Sequence, residues 1–157
     1  MKLKVKMLRE GAKLPRREYS SDAGADVFFC PDPAVKNHCR MGEGNDFWVS
    51  PRTSCLLSTG LKMEIPEGYM MEVKNKSGIA SKRQLVVGAC VIDAGYDGEI
   101  FINLHNIGST TQIIKPGDKL AQLVLVPIQA CGFSVVTGDL NNGSARGTGG
   151  FGSTGER

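Results

Sequence analysis

The chain has 157 residues, which is enough for one domain with its own core. Hydrophobic residues make up 41% and charged residues 22%, an ordinary globular composition that excludes a disordered chain. Nineteen basic against 16 acidic residues give a net charge of +3, which excludes the strong cationic field of a dedicated nucleic-acid binder but leaves room for a local phosphate site.

Residues 2–8 alternate Leu3, Val5 and Met7 with Lys, the pattern of a half-buried strand. The charge interleaved in residues 1–10 leaves no apolar stretch for a signal peptide, and no 18-residue apolar run predicts a membrane span. Ala23 to Phe29 reads as a turn running into a strand. Residues 31–46 are rich in Pro, Gly and charge and read as a long surface loop. Strands are expected at Phe47–Ser50, Cys55–Glu64 and Tyr69–Lys74, and residues 77–83 form the single helical stretch. Gln84–Val91 and Glu99–Asn106 flank the turn-rich segment from Asp93 to Gly98, the pattern of a long hairpin. Thr111–Ile114, Leu120–Ile128 and Gly132–Val136 complete the strands. Short strands at this spacing, with 20 Gly in the chain, predict an all-β sandwich, barrel or jelly roll.

Residues 138–157 differ in kind. They hold seven Gly and only two large apolar residues, Leu140 and Phe151, and cannot bury enough surface to order alone. The domain is therefore placed at 1–137 and a C-terminal arm at 138–157. The five cysteines, Cys30, Cys39, Cys55, Cys90 and Cys131, are odd in number and lack a CxxC, which points to reduced thiols and a cytoplasmic setting, or a nuclear or host-cell cytoplasmic one for a eukaryotic or viral chain. His38-Cys39 lacks the further ligands of a zinc site.

Five segments carry chemistry. Lys76 precedes Ser77-Gly78 at the helix start, where free N–H groups and the dipole suit a phosphate, although Ser77 also reads as a plain N-cap. Arg146 can fork onto a phosphate, glycines around it allow close backbone approach, and Phe151 can stack on a base. Asp93 follows an apolar strand and precedes a tight turn, with Tyr96 three residues on. Gln122 lies in an apolar strand after the Gly117-Asp118 turn. Asp26 ends Ala23-Gly-Ala-Asp26, by itself a plain turn.

Together, and in this order, the segments AGAD (23–26), KSGIA (76–80), GACVIDAGYDGEI (88–100), PGDKLAQL (116–123) and RGTGGFGSTG (146–155) resemble the five motifs of the trimeric dUTP pyrophosphatase (dUTPase) family. The resemblance implies a distorted jelly-roll-like β-barrel with one short helix and a flexible C-terminal arm, assembled as a homotrimer with shared active sites. It implies hydrolysis of dUTP to dUMP and pyrophosphate with Mg²⁺, which supplies dUMP for thymidylate synthesis and limits uracil in DNA. No nucleic-acid or membrane partner is implied. Asp93 would be the general base. Lys76, Ser77, Gly78 and Gln122 would hold the triphosphate. The hairpin backbone at Cys90, Val91, Ile92 and Phe101 would read uracil, and Tyr96 would pack on the deoxyribose. Arg146, Phe151 and Gly152 would close from the arm, and Asp26 would act on Mg²⁺ through water.

The chain departs from the family pattern at four places. Lys76 stands for the usual Arg and cannot make its bidentate fork. Ala25 stands for an aromatic, Gly95-Tyr96-Asp97 for Asp-Tyr-Arg, and Cys90 for a small Gly. Asp97 is expected to be solvated and harmless. Two other readings compete: a regulatory or partner-binding protein on the same scaffold, served by the 31–46 loop, and a relative of the dCTP deaminases.

Overall fold

The computed structural model describes residues 1–34, 40–41, 45–140 and 143. Along the chain lie β1 (Lys4–Met7), β2 (Ala25–Phe28), β3 (Arg40–Met41), β4 (Phe47–Val49), β5 (Ser54–Ser58), β6 (Leu61–Glu64) and β7 (Tyr69–Lys74). Then come α1 (Ser77–Arg83), β8 (Leu85–Val87), β9 (Val91–Ile92), β10 (Phe101–Asn106), β11 (Gln112–Ile114) and β12 (Lys119–Pro127). The strands pair antiparallel in four small sheets, ordered β1-β6, β5-β10-β8, β11-β4-β3 and β2-β12-β7-β9. This is the all-β, jelly-roll-like architecture that the strand spacing and the resemblance predict.

Period-two patterning builds the core. In β4, Phe47 and Val49 point in while Trp48 points out. In β10, Ile102, Leu104 and Asn106 are buried on alternate positions. Leu57, Ile102 and Leu104 are fully enclosed, each worth about 1.5–3 kcal/mol of burial. Phe29 meets Phe47 edge-on at 5.4 Å between ring centroids. Asn106 is tolerated in this core because its amide donates to the Val49 and Thr110 carbonyls at 2.8 Å each, and its Oδ1 accepts from the Gly108 N–H.

Four expectations change. The run Cys55–Glu64 is two strands: it breaks at Thr59-Gly60, where Gly60 takes φ +70° and the buried Thr59 hydroxyl donates to the Ile100 carbonyl. The long hairpin divides between two sheets. β8 pairs with β10, but β9 crosses to β7, with Met71 opposite Ile92. Gly132–Val136 forms no strand and pairs with none of the described strands, and Phe133 and Val135 are 97% and 98% exposed. Within the 31–46 loop, Arg40–Met41 pairs with β4, while residues 35–39 and 42–44 lie outside the described residues.

No helix among the described residues is long and apolar enough to cross a membrane. Of the four described cysteines, Cys30 and Cys55 are buried and Cys90 and Cys131 exposed.

Candidate active site

The sheet β2-β12-β7-β9 organises the site. Its inner face carries Val27, Ala121, Leu123 and Val73 into the core. Its outer face carries Asp26, opposite Gln122, which in turn lies opposite Lys74. Asp26 is 5% exposed and receives two ammonium groups. Lys76 Nζ stands 2.9 Å from Oδ1, and Lys119 Nζ stands 2.7 Å from Oδ2. Burial by itself pushes the Asp26 carboxyl up, but the hydrogen bonds from Lys119 and Lys76 outweigh it and hold the group below the usual carboxylate range. The same bond raises Lys119.

Lys76 comes directly before α1 and is its N-cap, with φ −86° and ψ 122°. The plain reading of Ser77 as the cap is corrected: no side chain caps this helix, and Ser77 is already its first helical residue. The first-turn N–H groups near Ser77 and Gly78 are thus left to an outside acceptor. Both residues are exposed, and nothing lies within 4 Å of where a Cβ on Gly78 would be. Gln122 donates its amide to the Asn75 carbonyl at 2.9 Å, just before Lys76. The first, second and fourth segments therefore meet on one surface: Asp26, Lys76, Ser77, Gly78 and Gln122.

Asp93 does not join them. The β7–β9 register, continued by one residue, puts Asp93 level with Met70, and Lys76 lies six residues further along, a span of about 20 Å. The turn that follows is closed by the Tyr96 N–H on the Asp93 carbonyl at 3.1 Å and by the Tyr96 hydroxyl donating to the Glu99 carbonyl at 2.8 Å. The Tyr96 ring lies over Gly98, whose hydrogen leaves it room.

The division of the hairpin makes a slot. The Cys90 carbonyl accepts from Val73, and Val91 and Ile92 belong to the β7 side. Phe101, across the hairpin, pairs instead with Ser58 of β5. The two limbs diverge, so backbone between Cys90 and Phe101 is not zipped together. Gly88 is the point of divergence: its N–H bonds the Asn103 carbonyl, and a Cβ there would strike the Asn103 and His105 side chains.

Arg146, Phe151 and Gly152 lie outside the described residues. Among the described residues no group of three or more His, Cys, Asp or Glu side chains is placed to hold a metal ion. Sequence reasoning missed Lys119. Plain strand alternation puts it on the face opposite Gln122. The register of β12 against β2 slips by one residue between Lys119 and Ala121, which brings Lys119 opposite Phe28 and onto the face of Asp26. The one trace in the sequence is the adjacent apolar pair Leu120-Ala121, both of which are buried.

The dUTPase family profile matches residues 44–155. A curated deoxyuridine 5'-triphosphate nucleotidohydrolase of Chlamydia trachomatis serovar L2 is 38% identical over 151 residues, 95% of either chain. The protein of that name from Clostridium tetani is 36% identical over 156 residues, 98% of this chain and 97% of the other. A mutant dUTPase of Staphylococcus bacteriophage 80alpha, solved with dUpNHpp, has a similar fold, with TM-score 0.83 at 28% identity over 98% of both chains. A mutant dUTPase from phage phi11 of S. aureus, solved for the coordination of a structural Mg(II) ion, gives 0.74 at 29% identity over 88% of this chain and 98% of the other. With the family profile spanning most of its length and curated relatives alike over nearly all of it, the chain belongs to the dUTPase family.

Proposed function

We propose that this chain hydrolyses dUTP to dUMP and pyrophosphate, at sites formed between copies of the chain in a homotrimer. The observation that carries this reading is the division of the site within one chain. The cluster of Lys76, Asp26 and Gln122 can hold phosphates, whereas Asp93 stands about 20 Å away. A second copy is needed to bring an Asp93 to the phosphates held by the first, and the arm of a third supplies Arg146 over the triphosphate and Phe151, with Gly152, over the base.

Asp93 accepts a proton from water as that oxygen bonds to the α-phosphorus. The bond from the α-phosphorus to the bridging oxygen breaks, and pyrophosphate leaves. Lys76, Gln122 and the N–H groups at Ser77 and Gly78 hold the phosphates in line, so positioning and charge neutralisation carry most of the rate. In the slot, main-chain groups from Cys90 to Ile92 and at Phe101 pair with the uracil edge. Tyr96, fixed over Gly98, packs on the deoxyribose and leaves no space for a 2′-hydroxyl.

The residues present fit Mg²⁺ held through phosphate and water rather than in a protein cage. Asp26 is a buried carboxylate, a hard oxygen donor, and among the described residues no group of three or more His, Cys, Asp or Glu side chains forms a cage around it. When bound, the ion neutralises triphosphate charge, and Asp26 would hold one of its waters.

The test is pyrophosphate release with Mg²⁺ from dUTP, dTTP, dCTP and UTP in parallel. Release from dUTP alone is expected. Release from UTP at a comparable rate removes the Tyr96 role, and release from none removes the reading.

A further inference from the structure

Five charges alternate in sign across the outer face of the sheet. Arg16 reaches Glu18 at 3.6 Å, Glu18 reaches Lys119 at 3.7 Å, Lys119 reaches Asp26, and Asp26 reaches Lys76. A backbone bridge between Arg16 and Asp26 ties the first member of this row to the fourth. Arg16, Glu18, Asp26, Phe28 and Lys119 line a cleft of about 130 Å³ beside it. The register slip in β12 is what places Lys119 in the row, and bulges of this kind re-aim side chains near functional sites.

The division of Asp26 between two cations sets what can happen to Lys76. The Asp26 side chain is 7% exposed, whereas Lys76 and Lys119 are 34% and 41% exposed. A buried carboxylate with no partner is strongly disfavoured. If Lys76 were its sole counter-ion, moving that ammonium to a ligand would strand the anion. With Lys119 on the other oxygen, Lys76 is free to leave.

We propose that Lys119 is a positioning residue for triphosphate binding: it stays on Asp26 Oδ2 and so releases Lys76 from Oδ1 to the phosphates. This rests on the reading of Lys76 as a phosphate ligand. Lys119 touches no phosphate in this scheme. Its effect is confined to ligands that carry phosphate.

The experiment compares Lys119→Met and Lys119→Arg with the parent chain, each checked by thermal melt. Affinities for a non-hydrolysable dUTP analogue and for deoxyuridine are measured by calorimetry, with KM and kcat for dUTP. Lys119→Met should weaken the analogue and raise KM by about tenfold or more, the loss of one charge-assisted bond, while deoxyuridine affinity and kcat stay within about threefold. Lys119→Arg should restore KM. An unchanged KM in Lys119→Met, equal losses for analogue and deoxyuridine, or failure of Lys119→Arg to rescue would each overturn the proposal. A structure of the unsubstituted chain with the analogue decides independently of how the variants fold: Lys119 must remain bonded to Asp26 while Lys76 moves to phosphate, and Lys119 moving to phosphate itself refutes the scheme. If the parent binds the analogue but releases no pyrophosphate from dUTP, the activity reading falls and these affinities still judge Lys119. If it binds no analogue, both fall.

Discussion

Gly24 lies against Gln122 so closely that a Cβ at residue 24 would come within 2.9 Å of both Cβ and Cδ of the glutamine. Gln122 in turn bonds the Asn75 carbonyl that leads into Lys76. Gly24→Ala should displace the amide, destabilise the fold by about 1–3 kcal/mol through overpacking, and raise KM for dUTP more than it lowers kcat. Thermal melts and steady-state kinetics check this, and unchanged values in both would mean that the sheet edge yields freely.

Asp93 is exposed and its backbone closes the turn with Tyr96. Asp93→Asn keeps shape and turn and removes the proposed base. Turnover should fall by about 10²- to 10⁴-fold, while affinity for a non-hydrolysable dUTP analogue stays within about threefold. Parent-like pyrophosphate release by Asp93→Asn would reassign the base.

Asp97 is 88% exposed on its side chain, in keeping with a solvated carboxylate, yet it reaches Lys62 of β6 at 2.5 Å. Such pairs contribute little in water. Asp97→Arg loses the pair and places like charges together, and kcat/KM should stay within about fivefold, the range for an exposed pair. A larger change that salt fails to reduce would show that the pair fixes the turn beneath Tyr96.

Asp26 gives the fold an acid limit. Its carboxyl lies below the unfolded value of about 3.9, so the native state binds fewer protons than the unfolded chain. The resulting stabilisation is present above about pH 4 and is lost as pH falls through the depressed pKa. Urea midpoints measured from neutral pH downward should fall more steeply for the parent than for Asp26→Asn. Parallel slopes would place the acid sensitivity elsewhere.

Alternation, turn residues and the short helix made most strands legible, because each depends on neighbours in the chain. Tyr69–Lys74 and residues 77–83 emerge where the pattern places them. What escaped depends on partners across space. Cys55–Glu64 reads as one apolar run until the buried Thr59 finds the Ile100 carbonyl. Val91 and Ile92 leave the expected hairpin because β7 offers them a free edge. Gly132–Val136 has strand-forming residues and no strand to join among the described residues. The meeting of Asp26 with Lys76 followed from the family resemblance and not from spacing, and Lys119 needed a one-residue slip that no periodicity announces.

The divergence of β9 from β10 bears on how this protein can change over generations. Hydrogen-bonding groups of the main chain are present whatever residue other than proline occupies a position. Replacing Cys90 or Val91 alters the lining of the slot and leaves its donors and acceptors in place. Base choice written in this way, as proposed for the slot, would be buffered against most single-codon changes, unlike a preference carried by one side chain. Its weak point is Gly88, where any added Cβ meets the Asn103 and His105 side chains and they must shift to admit it.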